Sequence, residues 1–216
     1  RHAVHRSARL GRHPGRPLTG GSSTELVLAS QSPRRHELLR GLGLTFRVEP
    51  ADVDESWERS EDPRAYVERV AIDKAEKVAH LLDRDGGICV LAADTTVDLD
   101  DDILAKPDDD AHARRMLEAL SGRAHQVHTA VVGWTAREAI ATVVTTDVTF
   151  RTLTDADIDW YLGVGEHLDK AGAYGMQTAG GALVERIDGS PSNVIGLPLA
   201  ETIDVLRACG VTVAGA

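Results

Sequence analysis

Six consecutive residues, Ser30-Gln-Ser-Pro-Arg-Arg35, gather two hydroxyls and two guanidiniums. Ser32 fits a helix N-cap and Pro33 the first helical position, where no backbone N–H is needed. Arg34 and Arg35 then fall in a first turn whose end is already positive, at a cost of roughly 0.3–1 kcal/mol each unless an anion joins them. Ser30, Ser32 and the free N–H groups make a phosphate the natural anion. The alternative is two solvated arginines on a helix start. Lys74 shares a face with Tyr66, Val70, Val78 and Leu82, so it either snorkels or meets a buried anion. Asp94 closes the apolar run Ile88 to Ala93, and is either a carboxylate at a ligand-binding strand end or a loop cap. Gln177 can donate and accept toward a base edge, and Gly172 and Gly175 would let backbone approach a planar ligand.

The elements that must position these groups alternate strand and helix. Leu26 to Ala29 reads as a short buried strand ahead of the arginine helix, and Gly41 and Gly43 break the chain after it. Thr45 to Val48 is a short strand and Asp52 to Ser56 a polar loop. Asp62 and Pro63 start a helix that runs to about Leu82. Ile88 to Ala93, apolar throughout, is a strand buried on both faces and so central in a sheet, ended by Asp94. Asp100 to Asp102 forms a hairpin turn before Ile103-Leu104, and Pro107 holds Lys106 extended. Asp108 to Asp110 open a helix that buries Ala113, Met116, Leu117 and Leu120 and stops at Gly122; capping explains this acidic cluster without a metal. Gln126 to Val132 reads as a strand, where positions three apart face opposite ways, so joint metal ligation by His125 and His128 is not expected. Val131 to Trp134 and Ile140 to Phe150 are antiparallel strands around Thr135 to Glu138, and Thr154 or Asp155 caps a helix through Tyr161. Asp169 to Gly181 is a Gly-rich loop that matches neither a P-loop nor a dinucleotide fingerprint. A strand over Ala182 to Ile187, a turn over Gly189 to Asn193 and a helix over Leu197 to Ala208 complete the chain.

Charge narrows the class of partner. The formal charge is −10, yet the first 20 residues hold five Arg and no Asp or Glu; without them, 19 basic face 34 acidic side chains, a body near −15. Such a body repels nucleic acid, while a small phosphorylated ligand remains allowed through local arginines or a divalent cation. No apolar run approaches the length of a membrane span. Two cysteines, Cys89 and Cys209, make no disulfide scaffold, which fits a cytoplasmic protein. Residues 1–23, rich in Arg, Gly and Pro and without an initiating Met, are expected to be a disordered basic leader, trimmed or added. Residues 24–216 are expected to form one bilobal domain.

Several stretches then occur in one order: Leu28-Ala-Ser-Gln-Ser-Pro-Arg-Arg35, Asp54-Glu55, Ala93-Asp-Thr-Thr-Val97, Lys106-Pro107, Leu120-Ser-Gly122, Asp169-Lys-Ala-Gly-Ala-Tyr-Gly-Met-Gln177 and Asn193-Val-Ile-Gly-Leu-Pro-Leu199. Together they resemble the Maf family of nucleoside triphosphate pyrophosphatases over about Leu26 to Val211. The resemblance implies an α/β fold like that of inosine triphosphate pyrophosphatase, with a mixed twisted sheet, flanking helices and two lobes around a nucleotide cleft. It also implies a divalent cation, Mg²⁺ or Mn²⁺, and hydrolysis of a nucleoside triphosphate to monophosphate and pyrophosphate. The general base matches Asp94, with Glu55 beside it as second metal ligand. Lys74 and Lys106 match the basic pocket residues, Ser30, Arg34 and Arg35 hold the substrate, and Arg35, Thr95 and Gln177 match specificity positions. Gln177 resembles the branch acting on dTTP and UTP; a branch acting on 7-methyl-GTP carries Glu there. Thr178 stands where the dTTP/UTP branch usually has Gly. The partner implied is a small-molecule nucleotide, and a homodimer is compatible with the family. A rival reading, from the family's link to septum formation, is a nucleotide sensor without turnover.

Overall fold

Apolar side chains on both faces send Ile88 to Ala93 to the middle of a sheet, and the sheet forms around it. The computed structural model describes residues 6–9, 24–58, 61–82 and 87–213. In chain order its elements are β1 (Arg6–Arg9), β2 (Glu25–Leu28), α1 (Pro33–Gly41), β3 (Arg47–Val48), α2 (Pro63–Leu81), β4 (Ile88–Leu99) and β5 (Asp102–Leu104). Then come α3 (Asp110–Leu120), β6 (Ala124–Trp134), β7 (Glu138–Phe150), α4 (Asp155–Val164), β8 (Val184–Asp188), α5 (Pro191–Ile195) and α6 (Leu199–Ala208). The sheet runs β1-β7-β6-β4-β2-β3, with β5 on β4 and β8 on β7. It is mixed: β2 lies parallel to both β3 and β4, and the other pairs are antiparallel.

Asp94 does not end its strand. β6 pairs antiparallel with β4 from Val90 opposite Trp134 to Asp98 opposite Gln126, and that ladder carries β4 on to Leu99. The other edge of β4 is different. β2 follows it only to Leu28 opposite Leu91, and β5 takes over at Leu104 opposite Val97. Between these points, among the described residues, β4 has no strand on that side, and the cleft forms at this gap. The strand-end argument holds for β2, whose carboxyl end opens the gap that Asp94 and Thr95 reach.

Three apolar clusters form around the sheet. On one face, α2 packs Val67, Val70 and Val78 against Val90 and Ala92 of β4 and Ala130 and Val132 of β6. On the other, Leu39 of α1 and Val205 and Leu206 of α6 cover Leu26, Leu28 and Leu91. Farther along β4, Leu117 and Leu120 of α3 and Ile158 and Tyr161 of α4 pack with Val97, Val127 and Phe150. The α2 stripe is as the spacing predicts, and Lys74 lies buried within it.

Helix ends follow local chemistry. Asp62 accepts from the N–H groups of Arg64 and Ala65, Asp109 from that of His112, and Thr154 and Asp157 form a capping box on α4. Asp100 and Asp101, both at positive φ, make the expected hairpin turn. Four expectations change. Ser32 occupies the N-cap of α1 without a side-chain cap; its N–H instead donates to Ser30 Oγ at 3.2 Å. The strand expected over Thr45 to Val48 shrinks to Arg47–Val48, whose one partner, β2, has just ended. Gly189 to Asn193 is no plain turn, because Ser190 caps the short helix α5. Finally, Arg6–Arg9 pairs with Glu138 to Ala141 of β7, an edge that takes backbone bonds without needing apolar periodicity. The other leader residues lie outside the described ones. No helix among the described residues is long and apolar enough to cross a membrane.

Candidate active site

A cavity of about 920 Å³ opens at the uncovered stretch of β4. Its walls are the β2–α1 turn, the loop bearing Glu55, Lys74 from α2, Asp94 to Val97, Lys106, the Gly-rich loop, and Val194 to Gly196 after α5. Alternation along β4 sends Asp94 toward the α2 face and Thr95 toward the α1 face. Both reach the cavity because it wraps around the bare edge between those faces. All nine residues proposed from the sequence, Ser30, Arg34, Arg35, Glu55, Lys74, Asp94, Thr95, Lys106 and Gln177, line it.

Lys74 resolves the choice between snorkelling and a buried anion. Its Nζ lies 2.7 Å from Asp94 Oδ1 and 2.7 Å from Glu55 Oε1. The Lys74 and Asp94 side chains are 10% and 9% exposed, while Glu55 is 48% exposed at the cavity mouth. Burial pushes the Asp94 carboxyl above the usual carboxylate range, against the pull of Lys74 and Arg35. The Glu55 loop, which has no regular structure of its own, is pinned through its backbone: Tyr66 Oη donates to Glu55 O at 2.8 Å and Arg69 to Ser56 O at 3.0 Å. Nothing in the sequence marks Tyr66 for this role beyond its place on the α2 stripe.

Among the described residues no group of three or more His, Cys, Asp or Glu gathers. Asp94 and Glu55 are nevertheless hard oxygen donors held around one ammonium, and each spends a single oxygen on it. Mg²⁺ commonly takes one or two carboxylates and completes its shell with water and substrate phosphates. The pair therefore fits a cation that shares a triphosphate. His125 and His128 stay apart, as expected: His125 Nε2 bonds Tyr174 Oη at 2.9 Å, and His128 Nε2 bonds Asp98 Oδ2 at 3.2 Å.

The two arginines of α1 part company. Arg34 pairs with Asp169 at 3.1 Å. Arg35 meets only neutral acceptors: Nε donates to Gly196 O at 2.8 Å, NH1 to Ser30 Oγ at 3.2 Å and NH2 to Thr95 Oγ1 at 3.1 Å. Gly196, at φ +119°, turns the chain after α5, and its carbonyl meets Arg35. Withdrawal from water lowers the Arg35 pKa from its ordinary value. A cation with no carboxylate partner among the described residues, beside a buried acid–lysine pair, suits an oxygen-rich ligand.

A model of the Maf-like protein family matches residues 25–209. The chain belongs to that family. A dTTP/UTP pyrophosphatase of Anaeromyxobacter dehalogenans strain 2CP-1 is 54% identical over 189 residues, 86% of this chain and 94% of that protein. One of Escherichia coli O157:H7 is 49% identical over 183 residues, 85% and 92% respectively. The solved Ham1 protein of Staphylococcus aureus is 18% identical, covers 58% of this chain and 71% of its own, and has a TM-score of 0.44.

In this Maf-like chain the Gly-rich loop packs closely on its neighbours. Gly172, at φ +65°, leaves a site where a Cβ would stand 3.0 Å from Val97 Cγ2, and a Cβ on Gly175 would come within 2.5 Å of Lys170 Cε. The side of each glycine where a Cβ would stand is thus filled by the protein's own side chains, and Gly175 lines the cavity. Lys170, quoted above only within a motif, is buried in the cavity wall and bonds Asp169 at 2.7 Å. Tyr174 hangs from the same loop with its hydroxyl on His125; burial pushes that imidazole down to about 4, so it is neutral at pH 7. Fully buried Thr129 bonds Thr95 and donates to the carbonyl of fully buried Asn193, and no pattern in the sequence singles out Thr129.

Proposed function

We propose that this Maf-like chain hydrolyses dTTP and UTP to the monophosphate and pyrophosphate in this cleft. The observation that carries the reading is the Asp94–Lys74–Glu55 cluster, its Asp94 and Lys74 buried, set at the bare edge of β4 and sharing the cavity with the arginines of α1. Relatives about half identical over most of this chain, named dTTP/UTP pyrophosphatases, support the choice of nucleotide.

Asp94 is the general base. Its raised pKa brings a carboxylate closer to the basicity that proton abstraction from water requires, and Lys74 fixes one of its oxygens. The water oxygen bonds to the α-phosphorus, its proton passes to Asp94, and the bond from that phosphorus to the α–β bridging oxygen breaks, with its electron pair leaving on pyrophosphate. Arg34, Lys106 and the hydroxyl of Ser30 hold phosphate oxygens, and Lys74 stabilises negative charge at the reacting end. Mg²⁺ or Mn²⁺, held by Asp94 and Glu55 with the triphosphate, would neutralise phosphate oxygens and polarise the phosphorus. Gln177 bonds the base. The partner is thus a free nucleotide.

Pyrophosphate release by the purified chain with Mg²⁺, compared over dTTP, UTP, dCTP, CTP and 7-methyl-GTP, tests this reading. The expected order places dTTP and UTP well above the rest. Binding without pyrophosphate release would leave a nucleotide sensor, and preference for 7-methyl-GTP would assign the other branch.

A further inference from the structure

A directional chain of hydrogen bonds runs behind the specificity positions. Thr129 Oγ1 lies 3.0 Å from Asn193 O and 2.9 Å from Thr95 Oγ1. A carbonyl oxygen cannot donate, so the single hydroxyl proton of Thr129 goes to Asn193 O; otherwise two lone-pair atoms would face each other in a fully buried site. Thr95 must then donate to Thr129, and it accepts from Arg35 NH2 at 3.1 Å. Thr95 and Thr129 stand directly opposite in the β4–β6 register, which holds this contact in place. Toward the cavity, Thr95 is left with a lone pair and no proton. Arg35, with three of its five N–H groups engaged, keeps two donors beside it.

We propose that Thr129 is a specificity-determining residue that acts through Thr95, by locking the Thr95 hydroxyl as an acceptor for the N3–H of uracil or thymine. This deepens the reading of the cleft as a dTTP and UTP site and rests on it. The two bases present O2, N3–H and O4 in a row. A spare Arg35 N–H suits one carbonyl, Thr95 suits N3–H, and the Gln177 amide suits the other carbonyl. Cytosine has a bare N3, so two acceptors would meet at Thr95. An amide can turn over to accommodate cytosine; a hydroxyl whose proton is committed elsewhere cannot. Thr129 is a positioning residue, since it lies behind Thr95 and touches no substrate.

The test compares wild type, Thr129→Val and Thr129→Ser as full chains, reading the ratio of kcat/KM for dTTP over dCTP. Thr129→Val frees the Thr95 proton to turn toward the cavity, and the ratio should fall by about tenfold or more. Thr129→Ser restores the hydroxyl and should hold the ratio close to wild type. A Thr129→Val ratio unchanged from wild type overturns the inference, as does a Thr129→Ser ratio that falls as far as that of Thr129→Val. If Thr129→Val does not fold, Thr95→Val and Thr95→Ser take its place: loss of the ratio in the first alone supports the acceptor, and retention in both overturns it. A wild type that hydrolyses dTTP and dCTP equally overturns this inference while leaving the hydrolysis standing. One that hydrolyses neither overturns the functional reading beneath it.

Discussion

Asp94 answers two demands that pull its pKa in opposite directions. Ionised, it is bonded at 2.7 Å to Lys74; buried, it resists ionisation, and burial wins. A base must be unprotonated to act, so kcat/KM should rise with pH through an acid limb whose midpoint lies above the ordinary carboxylate range. A pH profile of dTTP hydrolysis reads this directly, and a midpoint at or below pH 4 would detach the limb from Asp94. Asp94→Asn keeps the shape but cannot take the proton. We expect kcat to fall by roughly 10²–10⁴-fold with nucleotide binding retained. Because Lys74 keeps Glu55 as a partner, the variant should still fold; activity within a few-fold of wild type would remove Asp94 from the chemistry.

Elements with strong local signals were legible and those made by distant partners were not. α2 and α3 announce themselves by an Asp at the N-cap and by 3.6-residue apolar spacing, and their buried faces are the expected ones. The apolar run stops at Ala93 and predicts a six-residue β4, but its length is set by β6, whose paired residues lie 28 to 44 positions away in sequence. From Asp94 on, polar side chains at a gap in the sheet hid a strand that backbone pairing sustains. The nine residues singled out by type and spacing line one cavity, whereas the Thr129–Asn193 support is not legible in the sequence, because a buried threonine in a strand looks like any other. The Gly-rich loop tests the element scale. It keeps Ala173 at φ +62° after Gly172 at φ +65°, so two successive residues sit in the left-handed region. Gly172→Ala adds a second non-glycine there, at about 1–2 kcal/mol, and puts a methyl against Val97. The expected result is a lower Tm together with a raised KM for dTTP, since Tyr174 and Gln177 hang from this loop. A Tm loss with unchanged KM would separate the loop from base binding.

At the scale of the whole molecule, the question is which part of the chain makes the catalyst. The cleft is enclosed by residues from Ala29 to Gly196, and the family match begins at residue 25. The segment before it touches the described body through β1, whose partners Glu138 to Ala141 lie at one end of β7. That end of β7 pairs with Val132 to Trp134 of β6, which pairs in turn with Val90 to Ala92, where the β4 gap begins. Among the described residues, β7 contributes none to the cavity lining. Deleting residues 1–23 should therefore leave kcat/KM for dTTP within about twofold, because β7 and β6 lie between β1 and β4 in the sheet. It should still cost some stability. A four-residue edge strand with one neighbour contributes on the order of 1 kcal/mol net, or about 2–4 °C in Tm for a chain of this size. Thermal unfolding and initial rates on the truncated chain separate the two effects. A Tm unchanged by the deletion would mean that β1 adds nothing to the body in solution. A large fall in kcat/KM at constant Tm would mean that the basic leader reaches the nucleotide, through arginines whose charge the acidic body otherwise lacks.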